Sequence, residues 1–174
     1  MSKLNARYGF VLLAAGLLWA GFGFLLIRAL QPAVLRIGSS LRPVSCRTCT
    51  GADTLRPSAA GQTLVLLFSV HCPHCLYELD QLDEHLFRLP YDRFYLLTMD
   101  NQFDLCNGTV RWLNLSACDR VTWAVMEKSV FNSHFGRSVK PTLFLFDGRG
   151  ILRKKWAGEI KMEKLAAVYP QVPG

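Results

Sequence analysis

The chain has 174 residues, of which 51% are apolar, six are cysteine, and the formal net charge is +7. That length holds one domain of ordinary size with appendages and excludes a second large core. The basic residues are scattered, densest only at Arg153, Lys154 and Lys155, without aromatic–basic interleaving. The charge therefore points to no nucleic-acid surface, and serves solubility and attraction to anionic lipid.

Mean hydropathy is +0.19, high for a wholly soluble chain, and one segment accounts for much of it. Between Arg7 and Arg28 the sequence reads YGFVLLAAGLLWAGFGFLLI, with no charge. As a helix rising about 1.5 Å per residue, this run just spans a hydrocarbon core of roughly 30 Å. It exceeds the roughly 7–15-residue apolar region of a cleaved signal peptide. Residues 1–30 are thus read as an N-terminal transmembrane anchor, a cleaved signal being the other reading. Lys3 and Arg7 precede the run while Arg28, Arg36 and Arg42 follow it, so the count of flanking cations does not fix its orientation. The cysteines do bear on it. All six lie at or beyond Cys46, and disulfides persist outside the cytosol. The expectation is a single-pass protein of the cytoplasmic membrane with its C-terminal part on the extracytoplasmic, periplasmic side.

Residues 31–60 are rich in Pro, Ser, Gly and Arg and read as a linker or lead-in, carrying Cys46 and Cys49 as CRTC. Residues 61–174 read as the folded domain. TLVLLFSV (63–70) is a short apolar run, as expected of a strand covered on both faces. After Pro73, which suits a first helical turn, Leu76, Leu79, Leu82, Leu86 and Phe87 recur at helical spacing with acids between them. This predicts an amphipathic helix ending near Leu89–Pro90. RFYLLTM (93–99) is a second strand. A long connection with Cys106 and Cys118 leads to a helix expected from about Arg120 to Asn132. TLFLF (142–146) is a third strand, Asp147–Gly150 a turn, ILRKKWAG its hairpin partner, and Lys161–Tyr169 a closing helix.

The chemistry-bearing stretch is VHCPHC, residues 70–75. A dithiol catalyst needs one exposed sulfur that ionises readily and a second held behind it. The start of a helix stabilises the Cys72 thiolate through unpaired N–H groups and the helix dipole, and Cys75, one turn further in, resolves the mixed disulfide. Pro73 and His74 tune the pair, and a stabilised thiolate favours the reduced form, making CPHC oxidising. Glu78 reads, from the pattern alone, as a solvated acid on an acid-rich helix face. Zinc is the competing use of these thiols, since CRTC and CPHC together form a CxxC…CxxC set. Against it, CPHC lies between an apolar strand and an amphipathic helix, and the oxidising compartment disfavours a four-thiolate site. Cys46 and Cys49 are open to a local disulfide, a second redox pair or a metal contact, the disulfide being the plain choice. Thr50 after Cys49 rules out the CxxCH of haem attachment. Cys106 and Cys118 bracket the long connection and are expected to pair, a closure worth about 3 kcal/mol. His71, His85 and His134 are scattered and read as ordinary.

The order strand, helix, strand, helix, strand, strand, helix, with CxxC after the first strand and a proline before the third, resembles the thioredoxin fold. Cys72-Pro-His-Cys75-Leu-Tyr-Glu78 looks like the CxxCxxE of the membrane-anchored, exported TlpA, ResA and cytochrome c maturation type. Val139-Lys140-Pro141-Thr142 looks like the cis-proline segment of that family. The resemblance covers roughly residues 55–170 and departs at His71 (usually Trp), at Leu66 (where thioredoxin keeps a buried Asp) and at Lys140. It implies an α/β fold, a central mixed sheet flanked by helices, that exchanges disulfides with protein cysteines. Within it Glu78 becomes a base for the resolving thiol, and Lys140 and Pro141 shape the substrate groove. No organic or metal cofactor is implied, and the partners are a substrate protein and a membrane redox protein. CPHC favours an oxidant and the tethered CxxCxxE layout a reductant, the latter by a small margin. The alternative from another class is a zinc- or copper-binding scaffold of the same fold without turnover.

Overall fold

A computed structural model describes residues 16–24 and 35–168. The chain divides into two compact units, Met1–Ala33 and Val34–Gly174. In the first, residues 16–24 are helical, with Leu17, Leu18, Trp19 and Phe22 exposed. Among the described residues no helix is long and apolar enough to cross a membrane. The rest of the run read above as an anchor lies outside the described residues.

The second unit is built on one seven-stranded sheet. Its strands are β1 (Val44–Thr48), β2 (Gly51–Leu55), β3 (Thr63–Phe68), β4 (Arg93–Thr98), β5 (Val121–Val125), β6 (Thr142–Phe146) and β7 (Leu152–Ala157). The spatial order is β2-β1-β5-β4-β3-β6-β7. β3, β4 and β5 run parallel, while β6 and β7 at one end and β1 and β2 at the other join antiparallel. The helices are α1 (Pro73–His85), α2 (Leu113–Ala117), α3 (Lys128–Phe135) and α4 (Met162–Val168), with a 3-10 turn at Leu86–Arg88.

The alternation of side chains along a strand divides each central strand between two cores. Leu64, Leu66 and Phe68 of β3, Phe94 and Leu96 of β4, and Leu143 and Leu145 of β6 face the core that also takes Leu79 and Leu82 of α1 and Leu165 of α4. Val65 and Leu67, Tyr95 and Leu97, and Phe144 and Phe146 face the other, with Phe131 and Phe135 of α3. Every residue of β3 is buried, as its unbroken apolar run predicts.

Two expectations are corrected. Residues 31–60 are not simply a lead-in. β1 and β2 form a hairpin that extends the sheet beyond β5, and Leu41, Val44, Cys46 and Leu55 pack into the core on the α3 side. The helix expected from Arg120 to Asn132 is instead a strand followed by a shorter helix, β5 and α3. Val121-Thr-Trp-Ala-Val125 is β-branched and aromatic, so it suits a pleated, half-buried surface. It pairs with β4 along its whole length.

The cysteine pairing also differs from expectation. Cys49 is bonded to Cys106, with Cα atoms 5.1 Å apart, while Cys46 and Cys118 are free. Cys46 lies within β1, opposite Asp53 of β2, whereas Cys49 stands at the hairpin turn. Three residues along a strand cover about 10 Å and reverse the side-chain face, beyond the roughly 7 Å that a disulfide allows. Cys46 enters the core on the α3 side and Cys118 packs against the core on the α1 side.

Candidate active site

The apolar β3 ends at Phe68, and the chain turns through Ser69 and Val70 into α1. Cys72 is the N-cap of that helix, with extended backbone at φ −110° and ψ 112°, and no side chain caps the helix start. Pro73 occupies the first turn, where a missing N–H costs nothing. Cys72 thus stands at the positive end of α1, and its carbonyl accepts the Cys75 and Leu76 N–H groups at 3.0 and 3.1 Å. Cys72 is half-buried and Cys75 wholly buried, and both are free thiols. Cys75 belongs to the same core as Leu66 and Leu79. Burial pushes the Cys75 thiol up to about 12, and interaction with Cys72 adds to this. The Ser69 backbone and the Lys140 charge pull the other way. The two sulfurs thus differ in kind, one reachable and the other a buried proton holder.

A second loop closes over the first. The Lys140–Pro141 peptide is cis, and the Cys72 thiol donates to the Lys140 carbonyl at 3.7 Å. The 139–141 segment, with Val139 exposed, thus lies directly against the Cys72 sulfur. Lys140 and Pro141 are thereby brought next to Cys72. His71 and His74 flank the cysteines, each with a carboxylate. His71 Nε2 is 3.2 Å from Asp100 Oδ2, and His74 Nδ1 is 2.5 Å from Glu159 Oε1.

Glu78 departs most from its reading as a solvated acid. It is fully buried, three residues beyond Cys75 on the same face of α1. Its Oε2 accepts the Ile160 N–H at 3.2 Å, and its Oε1 has no hydrogen-bond partner among the described residues. Burial pushes the Glu78 carboxyl up to about 7, with the Ile160 N–H opposing and the charge of Glu159 adding. The other buried acid among the described residues, Asp147, is treated oppositely. Arg153 reaches its Oδ2 at 2.6 Å, and the N–H groups of Arg149 and Ile151 reach Oδ1 at 2.9 Å. Burial would raise the Asp147 carboxyl, but these bonds outweigh it and hold it below the usual range. Among the described residues no cation is paired with Glu78, so it is the acid free to exchange a proton near neutral pH.

A raised carboxyl destabilises the fold where it must ionise. Relative to its ordinary 4.5, the Glu78 contribution is fully favourable below about pH 4.5 and is lost as pH rises through about 7. Glu78→Gln is therefore expected to stabilise the protein above pH 7 by up to about 3 kcal/mol, and not at pH 4. Urea unfolding of both forms across this range checks it, and an equal effect at both ends of the range contradicts it.

The four cysteines of the CxxC…CxxC set are not brought together. Cys49 is disulfide-bonded, and Cys46 and Cys75 enter the cores on opposite faces of the sheet. Among the described residues no group of three or more His, Cys, Asp or Glu is placed to hold a metal ion. His85 bonds the Gln81 carbonyl and His134 the Val130 carbonyl, ordinary helix contacts. Sequence reasoning missed Glu159 and Asp100. The separation of Glu159 from His74 is 85 residues, and no local pattern marks it.

No protein-family model matches the chain, and no curated protein matches it significantly. Solved structures do match. The thioredoxin domain of a thiol-disulfide oxidoreductase from Bacteroides vulgatus aligns at TM-score 0.60 and 16% identity, covering 79% of this chain and 97% of that one. StoA from Bacillus subtilis aligns at 0.53 and 19%, covering 72% and 95%. Arabidopsis thaliana ScoI, solved with copper bound, aligns at 0.55 and 15%, covering 74% and 94%.

Proposed function

Taking the thioredoxin-like fold of this chain as the premise, we propose that it is a protein thiol–disulfide oxidoreductase. In this reading it is tethered to the cytoplasmic membrane by its N-terminal apolar run and acts on the extracytoplasmic, periplasmic side. One observation carries the reading. A reachable Cys72 caps α1 against the cis Lys140–Pro141 loop, and a buried Cys75 stands one turn behind it.

The chemistry follows from that arrangement, written in the reducing direction. The Cys72 thiolate attacks one sulfur of a substrate disulfide, forming a mixed disulfide and releasing the other sulfur as a thiolate, which takes a proton from solvent. Two of the influences holding the Cys75 proton come from Cys72, and they vanish once Cys72 is bonded. Cys75 then passes its proton toward the Glu78 carboxylate and attacks the Cys72 sulfur. The second substrate sulfur leaves as a thiolate and takes up a proton as Glu78 gives its own up again, and a Cys72–Cys75 disulfide remains. Two electrons have moved to the substrate, and a membrane redox protein returns them. The disulfide itself carries the electrons, so no further cofactor is invoked. The Lys140–Pro141 loop, beside exposed Val139, offers backbone and an apolar contact to an extended substrate segment.

The reducing direction is favoured because the buried Glu78, pushed up to about 7, gains and loses its proton near neutral pH, so its carboxylate form is there to take the Cys75 proton in each cycle. The anchor reading is supported by the uncharged run and by the exposed apolar side chains of residues 16–24. Two assays on the full chain test the whole. Turnover of a disulfide-bonded protein substrate, with bound metal determined on the same sample, is expected to give multiple turnovers and no stoichiometric zinc or copper. In sealed cells, a membrane-impermeant thiol reagent is expected to label Cys72. A retained metal without exchange supports the scaffold reading instead, and labelling only after lysis contradicts the topology.

A further inference from the structure

Three consecutive residues after β7 touch three separate parts of the site. The Gly158 N–H donates to the Pro141 carbonyl at 2.9 Å. The Glu159 carboxylate meets His74 Nδ1 at 2.5 Å. The Ile160 N–H donates to Glu78 Oε2 at 3.2 Å. Gly158 has φ +89°, with open space where a Cβ would stand, so backbone conformation rather than crowding calls for glycine there. The bend at Gly158 turns the chain off the sheet edge and onto α1. On α1, His74 and Glu78 are four residues apart and therefore neighbours on one face. The strap 158–160 spans both of them and the cis-proline loop.

We propose that Glu159 is a positioning residue of the redox centre: its carboxylate, held at the CPHC turn by His74, places a negative charge next to the strap residue whose N–H bonds the buried Glu78. This rests on the exchange reading above. The His74–Glu159 pair is too exposed to be there for stability, at 74% and 40% side-chain exposure. Its effect is instead local to Glu78, whose ionisation the Glu159 charge opposes. Tyr77 and Gln81 of α1, and Lys161 and Glu163 beyond the strap, line the same groove as Glu159. Of these groups, Glu159 is the one whose charge acts on Glu78.

Glu159→Gln keeps the size of the side chain and removes its charge, and its exposure leaves the fold intact. The test compares the full-length wild type, Glu159→Gln and His74→Ala. One readout is the pH dependence of mixed-disulfide resolution; the other is the Glu78 carboxyl carbon followed by NMR titration. The expected result for Glu159→Gln is a midpoint lower by on the order of half a pH unit in both readouts. His74→Ala, which leaves the Glu159 charge without its imidazole, is expected not to lower it. An unmoved midpoint in Glu159→Gln overturns the proposal, and so does an equal drop in both variants, since that reports general loosening. If the wild type exchanges no disulfides, the exchange reading falls by itself, while the carboxyl titration still decides the link between Glu159 and Glu78.

Discussion

Cys72→Ser is expected to lower the rate of disulfide exchange by at least about 10³-fold, the scale on which enzymes lose activity with their nucleophile. Cys75→Ser is expected to behave differently. It keeps the attacking sulfur and loses the resolving one, so a mixed disulfide through Cys72 should accumulate with substrate and persist until an external thiol releases it. The asymmetry comes from burial. Cys72 is half-buried at the helix start, with its sulfur on the Lys140 carbonyl, and Cys75 is fully enclosed in the core. A substrate sulfur can line up with the first and has no path to the second. Non-reducing gels and peptide mapping of the trapped species check the assignment. Mixed disulfides on Cys75 in the Cys72→Ser variant, or undiminished exchange, contradict it.

Loss of the Cys49–Cys106 bond is expected to be the largest change in stability. The two residues are 57 apart in sequence, and closing a loop of that size in the unfolded chain is worth about 4 kcal/mol in the chain-entropy account. The bond also holds the β1–β2 hairpin to the 99–112 segment, and β1 meets β5 in register only at Arg47 and Val125. The double variant Cys49→Ser/Cys106→Ser, which leaves Cys72 and Cys75 in place, should therefore unfold at a urea concentration lower by about 2 M, taking roughly 2 kcal/mol per molar for the slope. Mild reduction of the wild type should reproduce the shift. An unchanged midpoint contradicts the structural role of this disulfide.

What the sequence revealed and what it concealed divide along physical lines. β3 and α1 were legible because burial on both faces and on one face leave different apolar periods. Pro141 was legible through its place before a buried strand. The β1–β2 hairpin was not, since VSCRT and GADTL are short and half polar, and they become strands by pairing with each other and with β5. β5 and α3 merged into one expected helix because no glycine or proline separates Val125 from Lys128. The disulfide partner of Cys49 depends on which strand lies beside β1, a long-range fact that no local spacing carries. At the site, the two cysteines and Glu78 could be named from the motif. Whether Glu78 was solvated or buried could not, because its neighbours Asp80, Asp83 and Glu84 look the same in sequence. They lie around the helix where water, Arg111 and Asn114 reach them, while Glu78 turns inward beneath Ile160.

In the proposed reaction Cys72 and Cys75 form one two-electron redox couple. Equilibration of the protein with glutathione buffers of graded potential, followed by thiol alkylation and peptide mass spectrometry, measures this directly. Cys72 and Cys75 are expected to pass together between two alkylated thiols and one disulfide at a single midpoint, while Cys46 and Cys118 stay alkylatable as single thiols throughout. Independent titration of the two cysteines, or a pair that never forms a disulfide at any potential, would contradict it.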